Sequence, residues 1–299
     1  MSFNSPPLNF LGNKARWRRE FKEVIKTYIQ SGIKIFVDVF GGSGYCSYMV
    51  KQCINELGLN IEDFTIIYND FDNYSERLRD YEYNLNIKRE IYDIVKNSNT
   101  SENERLPDDV KERICELLIT YNNMKPIDIN VISKLFVHQM AGYEGFDKVI
   151  KYKSFYNRIT HGSIKKIDNL DEYLEHLDII RMDCMEVLEK YNDVENTCYI
   201  LDPPYINDFR KTYTGYDVGK LFEILYKVLF DFKYFIYFSS DKSFIPKILK
   251  NDEVFIRLYN DETKNKILNM KYIKRNNVIQ GYSIAFVDYM FYLEPDNVQ

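Results

Sequence analysis

The stretch Ile33-Lys34-Ile35-Phe36-Val37-Asp38-Val39, followed directly by Phe40-Gly41-Gly42-Ser43-Gly44, decides the fold. A short β-branched and aromatic run that breaks on glycines, with a helix-like segment from Tyr45 to Leu57 behind it, predicts strand, glycine turn, helix. Glycine at such a turn lets the backbone approach a ligand closely. It also joins strands to helices where no ligand binds, so the turn alone identifies nothing. Upstream, Trp17, Phe21, Val24, Ile25 and Tyr28 recur at helical spacing and predict a helix over Ala15 to Gln30, with Gly32 as its stop. Downstream, Phe64 to Tyr68 is the next predicted strand, and it ends in Asn69-Asp70.

From Asn73 to Met140 the pattern is mainly helical, broken by the polar stretch Asn97 to Asp109 and by Pro126. Strand signals return at Leu177 to Arg181, Thr197 to Leu201, Tyr234 to Ser239, Val254 to Leu258 and Tyr282 to Leu293. Helical segments, notably Met185 to Tyr191 and Val218 to Phe230, separate most of them. Alternation of this kind predicts an α/β fold with a mostly parallel sheet and helices on both faces. Residues 1–72 and 168–299 then form the sheet domain, and 73–167 a mainly helical insertion.

With 299 residues, 45% of them hydrophobic, the chain can bury a sheet core and still carry a smaller insertion. A net charge of -5 argues against a surface coated for nucleic acid, but the charge is unevenly spread. Lys148, Lys151, Lys153, Arg158, Lys165 and Lys166 share one tract without an acid, whereas acids dominate from Glu62 to Glu116. Such a tract suits a phosphate backbone, and equally a solvated face. The cysteines, Cys46, Cys53, Cys115, Cys184 and Cys198, form no CxxC pair and have no histidine at ligand spacing. Free thiols in a reducing compartment, and no metal, are therefore expected. No basic-then-apolar leader opens the sequence, and no apolar run nears the roughly 18 residues of a membrane span. A cytoplasmic protein with no membrane partner is expected.

The most informative tetrapeptide is Asp202-Pro203-Pro204-Tyr205, directly after the predicted strand Thr197 to Leu201. Ligands of open α/β sheets collect beyond the carboxyl ends of the strands. Two prolines fix φ and remove two N–H donors, leaving carbonyls as acceptors. Asp202 and the Pro203 carbonyl can then both accept from one amino group, while Tyr205 offers a face for stacking a base. Asp70 sits near the offset at which an acid takes ribose hydroxyls in dinucleotide folds. It equally suits the cap of a helix beginning near Asn73.

In order along the chain, Phe10-Leu11-Gly12-Asn13-Lys14, Asp38 to Gly44, Asp70, Asp183 and Asp202 to Tyr205 resemble the motifs of Dam-type DNA adenine methyltransferases. The resemblance runs from Pro7 to about Leu293. It implies a Rossmann-like methyltransferase sheet carrying the helical insertion as a target-recognition domain. It further implies methyl transfer from S-adenosylmethionine to N6 of an adenine flipped out of double-stranded DNA, releasing S-adenosylhomocysteine without a metal. On this resemblance Phe10 and Lys14 line the cofactor pocket, and Asp38, Phe40, Gly42 and Gly44 embrace the methionine part. Asp70 takes the ribose hydroxyls and Asp183 the adenine end. Asp202, Pro203, Pro204 and Tyr205 hold the target adenine, with Asp202 also bordering the cofactor. Tyr213, Gly215, Tyr216 and Asp217 resemble a segment that orders on DNA, and Phe238-Ser239-Ser240 the next strand end.

Val39 stands where many members carry proline, and Tyr152 to Ser163 lacks the Asn-x-Pro-aromatic-Gly pattern of GATC-recognising relatives. Lys153, Asn157, Arg158, His161 and Lys165 are the candidate DNA contacts. The resemblance makes double-stranded DNA the partner, admits a companion restriction endonuclease and implies a monomer. Two rivals stay open: an amino-methyltransferase acting on cytosine N4 or on RNA, and a DNA-binding relative without turnover. The acidic first letter of the tetrapeptide favours adenine, because cytosine N4 enzymes more often resemble Ser-Pro-Pro-Tyr.

Overall fold

The computed structural model describes all residues except 1–2, 11, 99–103, 133–134, 136–145, 152–163, 165, 193–195, 205–217, 244, 250–260, 279–284 and 296–299. It divides into two compact units. One comprises residues 2–6, 12–74 and 174–299; the other comprises Met1, 7–11 and 75–173.

The first unit is built on a seven-stranded sheet in the order β3-β2-β1-β4-β5-β7-β6. Its strands are β1 (Ile35–Asp38), β2 (Thr65–Asn69), β3 (Asp178–Ile180), β4 (Thr197–Leu201), β5 (Tyr234–Ser240), β6 (Met270–Val278) and β7 (Ala285–Leu293). Strands β1 to β5 pair in parallel, while β7 runs antiparallel to both β5 and β6. The mostly parallel sheet read from the sequence is thus present. Strand β6 is an addition to it, because Met-Lys-Tyr-Ile-Lys-Arg-Asn-Asn-Val reads as polar surface. It lies at the sheet edge, where one rim faces solvent and charged side chains are tolerated. The expected strand Val254 to Leu258 lies outside the described residues.

Alternation along the strands sorts side chains onto two faces. Val37, Val39, Tyr199, Leu201, Phe235, Tyr237, Tyr289 and Phe291 pack into one cluster with α9 (Cys184–Lys190) and α10 (Val218–Phe230). The same cluster takes in α11 (Ile245–Leu249) and α12 (Asp261–Asn269). The opposite face carries α1 (Arg18–Gln30), whose Phe21 ring stacks on Phe238 at 6.2 Å and whose Tyr28 hydroxyl donates to the Phe235 carbonyl. Helix α2 (Tyr45–Glu56) packs beside α1, with Met49, Val50, Cys53 and Ile54 fully buried. Helices therefore cover both faces, as a parallel sheet requires.

Among the described residues the second unit is helical, with most of α3 (Tyr74–Arg79), α4 (Tyr81–Lys96), α5 (Asp108–Met124), α6 (Ile129–Ile132), α7 (Phe146–Lys151) and most of α8 (Leu170–Leu174). Ile87, Ile91, Val110, Ile114, Leu118 and Ile132 form its core. Arg77 bonds Asp128 at 2.7 Å, and the Asp128 amide in turn donates to Asn84. All five cysteines are buried free thiols, Cys115 in the helical unit and the other four in the sheet unit. Among the described residues no helix is long and apolar enough to cross a membrane.

Candidate active site

Strand order reverses at β1: β2 and β3 lie on one side, β4 and β5 on the other. The crevice outside the carboxyl ends of β1 and β4 is where a sheet of this kind takes its ligand. Asp38 is the last residue of β1 and Asp202 follows the last residue of β4. A bond from the Val39 amide to the Ile200 carbonyl, 3.1 Å long, stitches the two ends together.

The glycine turn is packed from beneath by Tyr68. A Cβ added at Gly41 would lie 2.3 Å and 2.4 Å from two carbons of that ring and 2.8 Å from the Asn69 carbonyl oxygen. The Tyr68 hydroxyl lies 2.8 Å from the Gly42 carbonyl and 2.9 Å from Asp70 Oδ1. Gly44, at φ 67, enters the left-handed region and starts α2. The turn is therefore fixed by β2 below, leaving Gly42 and Phe40 half-buried above.

Asp38 Oδ2 accepts from the Ser47 hydroxyl at 2.8 Å and the Ser47 amide at 3.3 Å. Burial, with the Asp202 carboxylate adding to it, pushes the Asp38 carboxyl up to about 7 against the opposing pull of Ser47 and Lys14. An unfolded Asp ionises near ~3.9. Between these values the folded chain holds the proton that the unfolded chain has lost, so this group's contribution falls as pH rises from about 4 to about 7 and is flat above. The ionised form then costs on the order of 4 kcal/mol at pH 8. Asp38→Asn removes that charge. Urea titration is expected to find the variant more stable than the parent at pH 8, with the gap largely closed at pH 5; a gap independent of pH would contradict this account.

Asp202 bonds the Lys14 ammonium, which also donates to the Gly12 carbonyl at 2.7 Å and stands over the Phe238 ring, 5.2 Å from its centroid. The Lys14 side chain is 10% exposed and that of Asp202 24%. Burial raises the Asp202 carboxyl against the pull of Lys14. A carboxylate at the switch point thus already accepts an N–H donor from a primary amine. Pro203 is buried and Pro204 half-buried beside it.

The other expected acids have partners of their own within the fold. Asp70 is fully buried: its Oδ1 accepts from the Tyr74 amide at 2.6 Å, and Arg181 lies 3.7 Å from Oδ2. It occupies the helix-start position that the sequence left open. Asp183 starts α9 in a capping box with Glu186, and Lys220 bonds its other oxygen at 2.7 Å. Burial lifts the Asp183 carboxyl, but Lys220 and the Met185 amide outweigh it and hold it low. Phe10 belongs to the helical unit. Tyr205, Lys153, Asn157, Arg158, His161 and Lys165 lie outside the described residues, as do Tyr213, Gly215, Tyr216 and Asp217.

The structure also points to residues that sequence reasoning passed over. Asn69 spans the ends of three strands, donating to the Val39 and Met182 carbonyls at 3.0 Å and accepting from the Met182 amide. Phe71 follows Asp70 with 64% of its surface exposed, an apolar ring open at the carboxyl end of β2. Its position after a strand-ending acid was the available signal. Among the described residues no group of three or more His, Cys, Asp or Glu could hold a metal ion.

No family model matches the chain. It is similar to a Haemophilus influenzae protein described as "Putative methyltransferase", with 27% identity over 244 residues that cover 81% of this chain and 78% of that protein. That similarity supports methyl transfer in general, on a sheet of the kind described above.

Proposed function

We propose that this chain transfers a methyl group from S-adenosylmethionine to the exocyclic amino nitrogen of an adenine in double-stranded DNA. The observation that carries the reading is the Lys14–Asp202 pair: the carboxylate beyond β4 takes an amino donor, and a substrate amino group would present the same chemistry to it. The residues present suit the cofactor. The Asp38 and Asp202 carboxyls stand where a cationic sulfonium would favour their ionised forms against burial, the half-buried turn at Gly42 offers backbone, and the open Phe71 ring offers a stacking face for an adenine. When bound, the cofactor would supply an electrophilic methyl group.

The chain's own work is placement. An adenine amino nitrogen is a poor nucleophile while its lone pair is delocalised into the ring. Asp202 and the Pro203 carbonyl, accepting both of its hydrogens, favour a pyramidal nitrogen with the lone pair aimed at the methyl carbon. As the N–C bond forms and the S–C bond breaks, positive charge grows on that nitrogen. Asp202 stabilises it, and the surplus proton leaves through its carboxylate or to water. The base must leave the duplex to reach the crevice, and Tyr205 would stack it there. The basic tract holding Lys153, Asn157, Arg158, His161 and Lys165 would meet the DNA backbone.

The test is to express the chain in a host free of adenine methylation and sequence the host DNA with detection of modified bases. N6-methyladenine at one short recurring sequence is expected, absent with Asp202→Ala. Methylated cytosine N4 or methylated RNA instead would transfer the assignment to the rival acceptor. The same host DNA, cut or spared by neighbouring nucleases, tests for a companion restriction endonuclease.

A further inference from the structure

Strand β7 (Ala285–Leu293) reads Ala-Phe-Val-Asp-Tyr-Met-Phe-Tyr-Leu, and Asp288 is its one charged residue. Tyr289 and Phe291 belong to the core cluster on one face of the sheet, so Asp288 and Met290 project from the other. In the ladder with β5, Met290 lies opposite Phe238 and Asp288 opposite Ser240. Directly opposed residues share a face, and same-face neighbours along a strand are about 7 Å apart. The Lys14 ammonium stands over Phe238, on that same face.

Asp288 is held ready. Asn277 donates to its Oδ2 at 2.6 Å, and Arg16 bonds the carbonyl oxygen of the same Asn277 amide. Oδ1 is buried and takes no hydrogen bond of ordinary geometry, although the Ser240 hydroxyl is near enough to pull on the carboxyl. Of the other cations facing it, Arg275, opposite Asp288 on β6, bonds Glu20 at 2.5 Å and keeps a buried Nε without a hydrogen bond, and Lys242 lies 3.8 Å from the centroid of the Phe286 ring. Asp202 at the end of β4, which lies across β5 from β7, Ser240 and Lys14 complete the surroundings. Asp38, the remaining nearby acid, has one oxygen bonded twice by Ser47.

We propose that Asp288 receives the Lys14 ammonium when a substrate amino group takes its place on Asp202. The inference rests on the acceptor role given to Asp202 above. A substrate amino group that takes the Asp202 oxygen held by Lys14 displaces the ammonium, and a largely buried ammonium left with the neutral Gly12 carbonyl and no carboxylate is costly. Asp288 Oδ1 supplies the acceptor, so Lys14 moves between two carboxylates and the charge in the crevice is conserved. Asp288 is a positioning residue that acts through Lys14.

Two measurements test this. The crystal structure of Asp202→Ala, without substrate, should place Lys14 Nζ in hydrogen-bond contact with Asp288 Oδ1; Lys14 turned to solvent or onto Asp38 overturns the proposal. In steady-state methylation of DNA, Asp288→Asn leaves Lys14 competing for Asp202. KM for DNA should then rise about ten-fold with kcat within about two-fold, because ground state and transition state are hindered alike. Cofactor affinity by calorimetry should be unchanged, and Asp288→Glu should restore KM. A loss confined to kcat, or an equal loss of cofactor binding, overturns the proposal. Should the parent protein methylate no DNA, the acceptor assignment fails on its own, while the crystal structure still decides where Lys14 goes.

Discussion

Asp202→Ala should cut methyl transfer by about three orders of magnitude, the usual cost of removing one preorganised electrostatic partner from a reacting centre. Two losses combine. The amino nitrogen loses the acceptor that orients it, and the developing positive charge loses its counterion. Stability should change less, because Asp202 keeps 24% of its side-chain surface open and Lys14 keeps the Gly12 carbonyl and the Phe238 ring, with Asp288 as the carboxylate it can turn to. Calorimetric titration should find cofactor affinity within a few-fold of the parent, with the far-ultraviolet spectrum and melting curve near those of the parent. A variant that still methylates DNA at the parental rate would remove Asp202 from the chemistry altogether.

Gly41→Ala is the second large effect, and it acts on the scaffold. The new methyl carbon would sit 2.3 Å from a carbon of the fully buried Tyr68 ring and 2.8 Å from the Asn69 carbonyl oxygen. The ring cannot swing away freely, since its hydroxyl is tied to Gly42 and Asp70. The carbonyl belongs to β2, whose last residue, Asn69, also joins β1 and β3 through its side chain. Overpacking of this kind costs about 3 kcal/mol or more when backbone must shift. Denaturant titration should therefore find a loss of that order, and cofactor binding should fall with it. Should the alanine protein match the parent in both, Tyr68 does not brace the turn as described.

Much of this was legible in the chain because local pattern and tertiary role agree. Thr197–Leu201 and Val218–Phe230 begin and end where their apolar runs do, since a central parallel strand and a core helix are defined by burial alone. The two strand-end acids, Asp38 and Asp202, were legible for the same reason: charge that follows an apolar run marks where a strand meets solvent or ligand. Strand β6 was not, because Lys271, Lys274, Arg275 and Asn276 give an edge strand the look of a loop. Lys14 was read as lining the cofactor pocket. Its partner Asp202 lies 188 positions away, a separation across which no periodicity carries information. For Asp288 a trace did exist, since one acid within nine otherwise uncharged residues is a burial anomaly. Its meaning required the register that sets it opposite Ser240.

The placement of the thiols has a practical consequence. Burial pushes the Cys46 and Cys198 thiols well above their ordinary range, and Cys53 up to about 12. An alkylating reagent attacks only thiolate, so in the intact molecule it must wait for an opening event. With one buried thiol in the helical unit and four in the sheet unit, the mass gained over time becomes a pair of internal clocks. They report separately how often each half of the protein breathes.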